Sequence, residues 1–424
     1  MAPSLADVVV RALLAAAVLT ALTFIGPALG ALWRPSISLT LFVGIVAVTA
    51  LPARAYLLAG LCGVAVLLQF TALRTSVYHL LLVAGAFALR RRPALLISFL
   101  LLTVVVIPKE LFRRYYHATF LHDWVNPFLL AHLFLVVLTW WSTQMRGRAN
   151  ETSFAAWLCL LLFPSHPLNP MIFAPGDLWR PRLAVVRDVL TGLLIVAVKA
   201  AALWAIAWAW PQGQLAQQDP VALLDGSRSW LQVWRSVGLS YLVCALALSG
   251  TADIAVVIAR LFGWRLPHSF HWALLAWNPV ELWRRWAIYN RKVLLSLVYF
   301  PLGGGDRHRT LNVMLTFAAS GLVLHSGWLG SRYWETGVAG WRDQTLYFLL
   351  QGLAVCGCLW FWRWRGRSAD LDRDLRWSFG RVLGTFATQA LSAWLHILIL
   401  TPNLALFDRC RLMARCVGLA GLFH

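Results

Sequence analysis

The chain is 424 residues long, 60% hydrophobic and only 13% charged, where a soluble domain is about a quarter charged. Its net charge is +20, from 37 Lys and Arg against 17 Asp and Glu. Apolar runs of about 18 residues or more recur along it, which excludes an ordinary soluble enzyme and predicts an all-α, polytopic membrane protein with the lipid bilayer as its first partner.

The positive charges sit at the ends of apolar runs, where arginine snorkels to anionic headgroups, so no nucleic-acid partner is implied. The first apolar run, 8–32, is too long for a cleaved signal and predicts a first span. Spans are predicted at 7–32, 36–52, 54–73, 76–89, 93–108, 126–145, 183–210, 230–250, 311–330, 344–362 and 379–401, about 11 in all, in one integral membrane domain over 1–424. Within that domain 1–150 would form an N-terminal shell, 151–182 a broken segment, 249–330 a core and 331–424 a C-terminal group of helices. The abundance of Trp, 24 residues, suits interfacial anchoring and an aromatic cavity wall. The frequency of Arg and Ala is associated with a bacterial source, and hence with an inner-membrane location. The seven cysteines are scattered as small hydrophobes. Cys356 and Cys358 lie inside a span without a companion cluster, so neither a metal site nor a disulfide is predicted.

Residues 109–125 read as an interfacial helix, 211–229 as a polar loop and 363–378 as a salt-bridged charged loop. Between 154 and 182 a short apolar piece runs into Pro164-Ser165-His166-Pro167-Leu168-Asn169-Pro170. Three prolines in seven residues forbid a straight helix. The segment reads either as re-entrant, with His166 and Asn169 lining a pocket, or as an interfacial loop.

The region of most chemical interest is 277–330. At the helical period, 281–297 places Trp283, Trp286, Asn290, Val293, Leu294 and Leu297 on one arc of about 100°, with Arg284, Arg285, Arg291 and Lys292 opposite. That pattern predicts one basic amphipathic helix at a membrane surface or cavity mouth. Asn290, central in the apolar arc, is either a packing hydrogen bonder or a site residue. His325 lies in an apolar run, where burial keeps an imidazole neutral and able to take a proton. Ser320, Gly321, Ser326 and Gly327 around it are small enough to admit a substrate. Asp253 and Arg260 share a helical face and could pair with a group between them. Lys199, Gln351, Gln389, His79, His132 and His396 read as structural polar residues.

The run from Ser249 to Trp328 resembles the membrane-bound O-acyltransferase family. The residues that carry the likeness are Thr251-Ala252-Asp253-Ile254-Ala255, Ala259-Arg260-Leu261-Phe262-Gly263-Trp264, Leu282-Trp283-Arg284-Arg285-Trp286, Tyr299-Phe300-Pro301-Leu302-Gly303-Gly304, and Asn312, Phe317, Gly321-Leu322 and His325. Residues 161–175 are faintly similar to the family's Phe-Pro segment. The chain departs from the family at Ala287, where His or Asn is usual, and before His325, where one residue is added or the frame is shifted. The resemblance implies interfacial and re-entrant helices around a central tunnel, and transfer of an acyl group from a thioester (acyl-coenzyme A or an acyl carrier) to a hydroxyl of an envelope glycan, lipid or small molecule. An acyl-carrier or envelope protein would be the partner, and no tightly bound cofactor is implied. His325 would be the general base and Asn290 the group that orients the acceptor or polarises the carbonyl. Trp283, Trp286, Arg284, Arg285 and Asn278, with His166 and Asn169, would bind substrate, and the basic face would attract an anionic donor. A transporter or flippase, or an inactive scaffold of the same architecture, would use the same cavity.

Overall fold

The computed structural model describes residues 5–25, 34–70, 73–100, 153–166, 186–210, 224, 229–325, 339–366, 378–401 and 404–417. Among them every regular element is helical and none is a strand. The predicted span 126–145, the interfacial helix 109–125, most of the loops 211–229 and 363–378, and His132, Asn169, Ser326 and Gly327 lie outside the described residues.

The helices are α1 Leu5–Ile25, α2 Pro35–Ala50, α3 Ala55–Phe70, α4 Leu73–Leu89, α5 Pro93–Leu100, α6 Phe154–Leu161, α7 Val186–Ala209, α8 Trp230–Leu261, α9 Pro279–Arg285, α10 Ile288–Leu294, α11 Arg309–Ala319, α12 Ala339–Trp364, α13 Phe379–Leu400 and α14 Leu406–Cys416. Six stretches are long and apolar enough to cross a membrane: Leu5–Ile25, Pro52–Gln69, Val186–Ala209, Trp230–Leu261, Asp343–Trp364 and Phe379–Ile399. The chain is therefore read as a membrane protein with six candidate spans among the described residues, short of the eleven predicted. Two boundaries differ from expectation. The predicted span 230–250 continues as one helix to Leu261. The predicted span 311–330 is an 11-residue α-helix that passes into a π-helical turn, Ser320–His325.

The chain divides into two compact units, Met1–Ala201 with Leu248–Ser269, and Ala202–Ala247 with Phe270–His424. In the first, α3 crosses α6 at Gly60 and Gly63, where small residues let backbones approach. A Cβ at Gly63 would overlap the Leu162 carbonyl oxygen. The short α6 is capped by Ser153, whose side chain accepts from the Ala156 N–H, and Trp157 donates to the Val83 carbonyl at 3.1 Å. The chain then turns through Phe163, which meets Phe262 and Trp264 edge-on at 5.9 and 5.5 Å. Asp253, fully buried, pairs with Lys199 and with His268 Nδ1 at 2.8 Å. Arg260 has separate partners, donating to the carbonyls of Asp188 at 2.7 Å and Leu266 at 3.1 Å. The predicted common third group is thus replaced by two independent arrangements.

The second unit has a core of Val237, Tyr347, Phe348, Leu395, Leu398 and Leu412. Arg409 of α14 is 2% exposed, pairs with Asp343, and donates to the carbonyls of Leu404 and Leu398, both at 2.9 Å. A buried charge held by a carboxylate and two carbonyls ties α14 to α12 and α13, because losing one partner would strand the others.

Two glycines test the helix crossing. Gly63→Ala is expected to lower the melting temperature of the detergent-solubilised protein by several degrees. Gly238→Ala, in a helix and with nothing within 4 Å of its new Cβ, should be neutral or stabilise by up to about 1 kcal/mol. Equal behaviour of the two variants would contradict the close crossing.

Candidate functional site

The predicted helix 281–297 is not continuous. It is two short helices, α9 and α10, joined by an extended Trp286 and by Ala287 in the left-handed region, φ 43° and ψ 58°. A left-handed non-glycine residue costs about 1–2 kcal/mol. Periodicity could not show this break, because neither Gly nor Pro marks it.

α9 starts on a built cap. Asn278 Oδ1 accepts from the Glu281 N–H at 2.8 Å, Pro279 occupies the first turn, and Glu281 Oε2 accepts from the Trp277 N–H at 3.0 Å. This reciprocal arrangement satisfies donors that a helix start leaves unpaired. Glu281 also pairs with Arg285. Asn278 and Arg285, both expected to bind substrate, here serve the helix start.

Beyond the break α10 passes into a π-helical segment, Leu295–Tyr299, and then the Pro301–Arg307 turn, where Gly303 and Gly304 have φ of 95° and 60°. Asn312 of α11 holds this turn. It is 3% exposed, and its Nδ2 donates to the carbonyls of Leu302, Gly304 and Arg307 at 3.1, 2.9 and 2.7 Å. Two N–H groups serve three acceptors, so one is shared.

These elements enclose a cavity of about 290 Å³ in the second unit. Trp283, Arg284, Trp286 and Asn290 of the predicted site line it, together with Ala287 and Arg291. Tyr299, Arg309, Thr316, Phe317 and Ser320 complete its polar and aromatic wall, and Val355 and Leu359 of α12 contribute apolar surface. Both π-helical segments border it, through Leu295 and Tyr299 on one side and Ser320 on the other. π-Turns inside helices are frequent at functional sites.

Trp283 is the best-fixed side chain of the wall. Its indole N–H donates to Gln351 Oε1 at 3.2 Å, and its ring meets Phe317 at 5.1 Å and 88° and Phe348 at 5.6 Å. Gln351 Nε2 donates to the Tyr347 hydroxyl at 3.3 Å, which lies 3.1 Å from His396 Nδ1. Trp286 packs edge-on against Phe270 at 5.1 Å. Asn290 is half-buried on the wall, and its amide has no hydrogen-bond partner among the described residues. Arg291 is held below the usual guanidinium range, first by its burial and then by the charge of Arg284. Arg291 and Arg309 were missed as wall residues, Arg291 because a helix continuous through 287 would have turned it away from Trp283 and Trp286.

His325 closes the π-turn that begins at cavity-lining Ser320; its side chain lies outside the described residues. Gly321, expected to leave room for substrate, instead lies against α12, where a Cβ would sit 2.6 Å from Thr345 Cα. His166 belongs to the first unit. It is 1% exposed, with Nδ1 3.2 Å from the Leu161 carbonyl oxygen and its ring against Phe163, and burial pushes its pKa down to about 3. Its setting is that of a packed neutral imidazole.

A peptidoglycan O-acetyltransferase of Helicobacter pylori is 33% identical to this chain over 106 residues, 24% of this chain and 20% of that protein. The matched segment thus spans about a fifth of that relative's length. No family model matches the chain. The similarity to an acyl-transferring enzyme is therefore partial.

Two substitutions test the local geometry. Ala287→Gly is expected to stabilise the protein by about 1 kcal/mol, since glycine adopts this backbone without the Cβ penalty. A loss of stability would contradict the left-handed turn. Asn312→Ala should cost about 1–3 kcal/mol by stranding the buried Gly304 carbonyl and two part-buried ones, and Asn312→Asp more, because an ionised carboxylate donates nothing to them. Thermal unfolding in detergent reads both, and Asp no worse than Ala would contradict the amide's role.

Proposed function

We propose that the chain is a membrane-embedded O-acyltransferase that moves an acyl group from a thioester donor to a hydroxyl of an envelope glycan. The observation that carries this reading is the half-buried Asn290 amide, without a partner among the described residues, on the wall of an aromatic cavity bordered by the π-turn that ends at His325. The partial similarity to a peptidoglycan O-acetyltransferase supports both the reaction and the class of acceptor.

The chemistry assigns roles to this chain's own groups. His325, neutral, takes the proton of the acceptor hydroxyl as its oxygen attacks the thioester carbonyl carbon. Asn290 donates to the carbonyl oxygen as negative charge develops there. The carbon–sulfur bond breaks, the thiolate recovers the proton from the His325 imidazolium, and the acylated glycan leaves. Trp283 and Trp286 wall off water around the reacting carbonyl. The donor would be acyl-coenzyme A or an acyl carrier, delivered at the bacterial inner membrane.

A second reading, an ion-coupled transporter, is favoured by one observation, the buried Lys199–Asp253–His268 group, because ionisable clusters inside membranes often mark ion pathways.

Purified protein with labelled acetyl thioester and a peptidoglycan oligomer separates these readings. Transfer is expected in wild type, with a loss of about 10²–10⁴-fold in His325→Ala and of about 10²–10³-fold in Asn290→Ala. Equal transfer by His325→Ala would remove that residue as base. No transfer by any form would leave an inactive scaffold or, if vesicle uptake persists in His325→Ala, a transporter.

A further inference from the structure

Trp283 of the cavity wall is the first member of a chain of buried polar groups that the transfer steps themselves do not use. Its indole N–H donates to Gln351 Oε1 at 3.2 Å, Gln351 Nε2 donates to the Tyr347 hydroxyl at 3.3 Å, and that hydroxyl lies 3.1 Å from His396 Nδ1. Gln351, Tyr347 and His396 are at most 5% exposed, and none of the three lines the cavity. The chemistry of the groups gives the chain one direction. An indole nitrogen can only donate, so it meets the amide oxygen of Gln351, which turns the amide N–H towards Tyr347. The tyrosine O–H is then left with one acceptor among the described residues, His396 Nδ1. The Ser392 carbonyl oxygen is 3.3 Å from the same nitrogen. Were Nδ1 to donate to it, the buried tyrosine proton would be stranded. His396 therefore carries its proton on Nε2. The Trp283 ring is held as firmly as its N–H. Gly352, next to Gln351 on α12, lets Phe317 of α11 come within 3.1 Å of where a Cβ would stand. Phe317 in turn meets the indole edge-on, at 5.1 Å and 88°.

We propose that Gln351, Tyr347 and His396 are positioning residues, which hold the Trp283 indole in one orientation and so fix how large an acyl group the cavity seats. The chain of hydrogen bonds stands without any reaction; its bearing on acyl size rests on the acyl-transfer reading. A wall residue keeps the precision a site requires only when its own rotamer is locked by packing and by supporting hydrogen bonds. Bonds in series polarise one another, so loss of the far end loosens the near end. A fixed apolar wall discriminates by about 10–200-fold per methylene, and in a cavity of about 290 Å³ that stop favours a short acyl group.

Full-length protein in neutral detergent, with tryptophan isotopically labelled at the indole nitrogen, gives the first measurement. The indole N–H resonance of Trp283 is assigned by its loss in Trp283→Phe. It is expected to shift in Gln351→Met and, in the same direction, in Tyr347→Phe and His396→Leu. His396→Asn, whose amide oxygen stands in for Nδ1 as acceptor, should restore the wild-type position. Tyr241→Phe is the control. It removes a hydroxyl bonded to Gln389 at 2.9 Å beside the same imidazole but outside the chain, and should leave the resonance in place. The second measurement is the ratio of kcat/KM for acetyl and hexanoyl thioesters, which does not depend on the fraction of active protein. Wild type is expected to favour acetyl. Tyr347→Phe and His396→Leu should reduce that preference about fivefold or more, and His396→Asn less than about twofold. An unmoved Trp283 resonance in folded Tyr347→Phe and His396→Leu, an equal shift in Tyr241→Phe, or an unchanged ratio in variants whose resonance has moved would each overturn the positioning role. The expected shifts with no transfer by any form would sustain the support of Trp283 and defeat the transferase reading. Transfer with an unmoved resonance would do the reverse.

Discussion

Ala287 holds a left-handed backbone that glycine adopts freely and alanine only at a cost, and the wall of the cavity is arranged around that bend. With a straight helix, Arg291 would face about 100° away from the arc that carries Trp283, Trp286 and Asn290; the bend re-aims α10 relative to α9. With the bend, Asn290 and Arg291 line the same cavity as Trp283, Arg284 and Trp286. The strain persists because both flanks are fixed. The Asn278–Glu281 cap and the Trp283–Gln351 hydrogen bond anchor α9, and the Asn312-bound turn closes the sequence that follows α10. Residues forced into sparsely populated backbone conformations tend to collect at functional sites, where the surrounding structure over-determines them.

Long apolar runs were the easiest feature to read from the sequence. A span of about 20 apolar residues needs only composition and length, and Val186–Ala209 and Phe379–Ile399 match their expected positions within a few residues. Helix ends were harder. The span predicted to end at 250 runs on to Leu261 through Asp253, a carboxylate that pairs with Lys199 and His268 from elsewhere in the chain. The span expected at 311–330 is polar at its start for a reason of its own, since Asn312 is spent on three carbonyls of the preceding turn.

Within the candidate site, residue types were legible and assignments less so. Asn278-Pro279-Val280-Glu281 is a capping signature, and with that reading Asn278 and Arg285 fall into place as supports of α9. Arg291 was assigned to the face opposite the tryptophans because the error lay one step earlier, in the assumption of a single helix. His166 illustrates the opposite case: a histidine between prolines reads as a pocket residue, but the Phe163–His166 turn packs it away from water beside Leu161 and Phe163.

The two compact units use buried charge differently. In the first, Asp253 gathers an ammonium and an imidazole, a locally compensated group. In the second, Arg409 is compensated by Asp343 and two carbonyls.

The most direct measurement is a structure of the protein with a non-hydrolysable thioether analogue of the acyl thioester. Density for the acyl carbonyl against Asn290, between Trp283 and Ser320 and within reach of the His325 imidazole, is the expected result. Density elsewhere in the molecule with this cavity empty, or a His325 ring turned away from the carbonyl and packed among apolar side chains, would contradict an acyl-transfer site here.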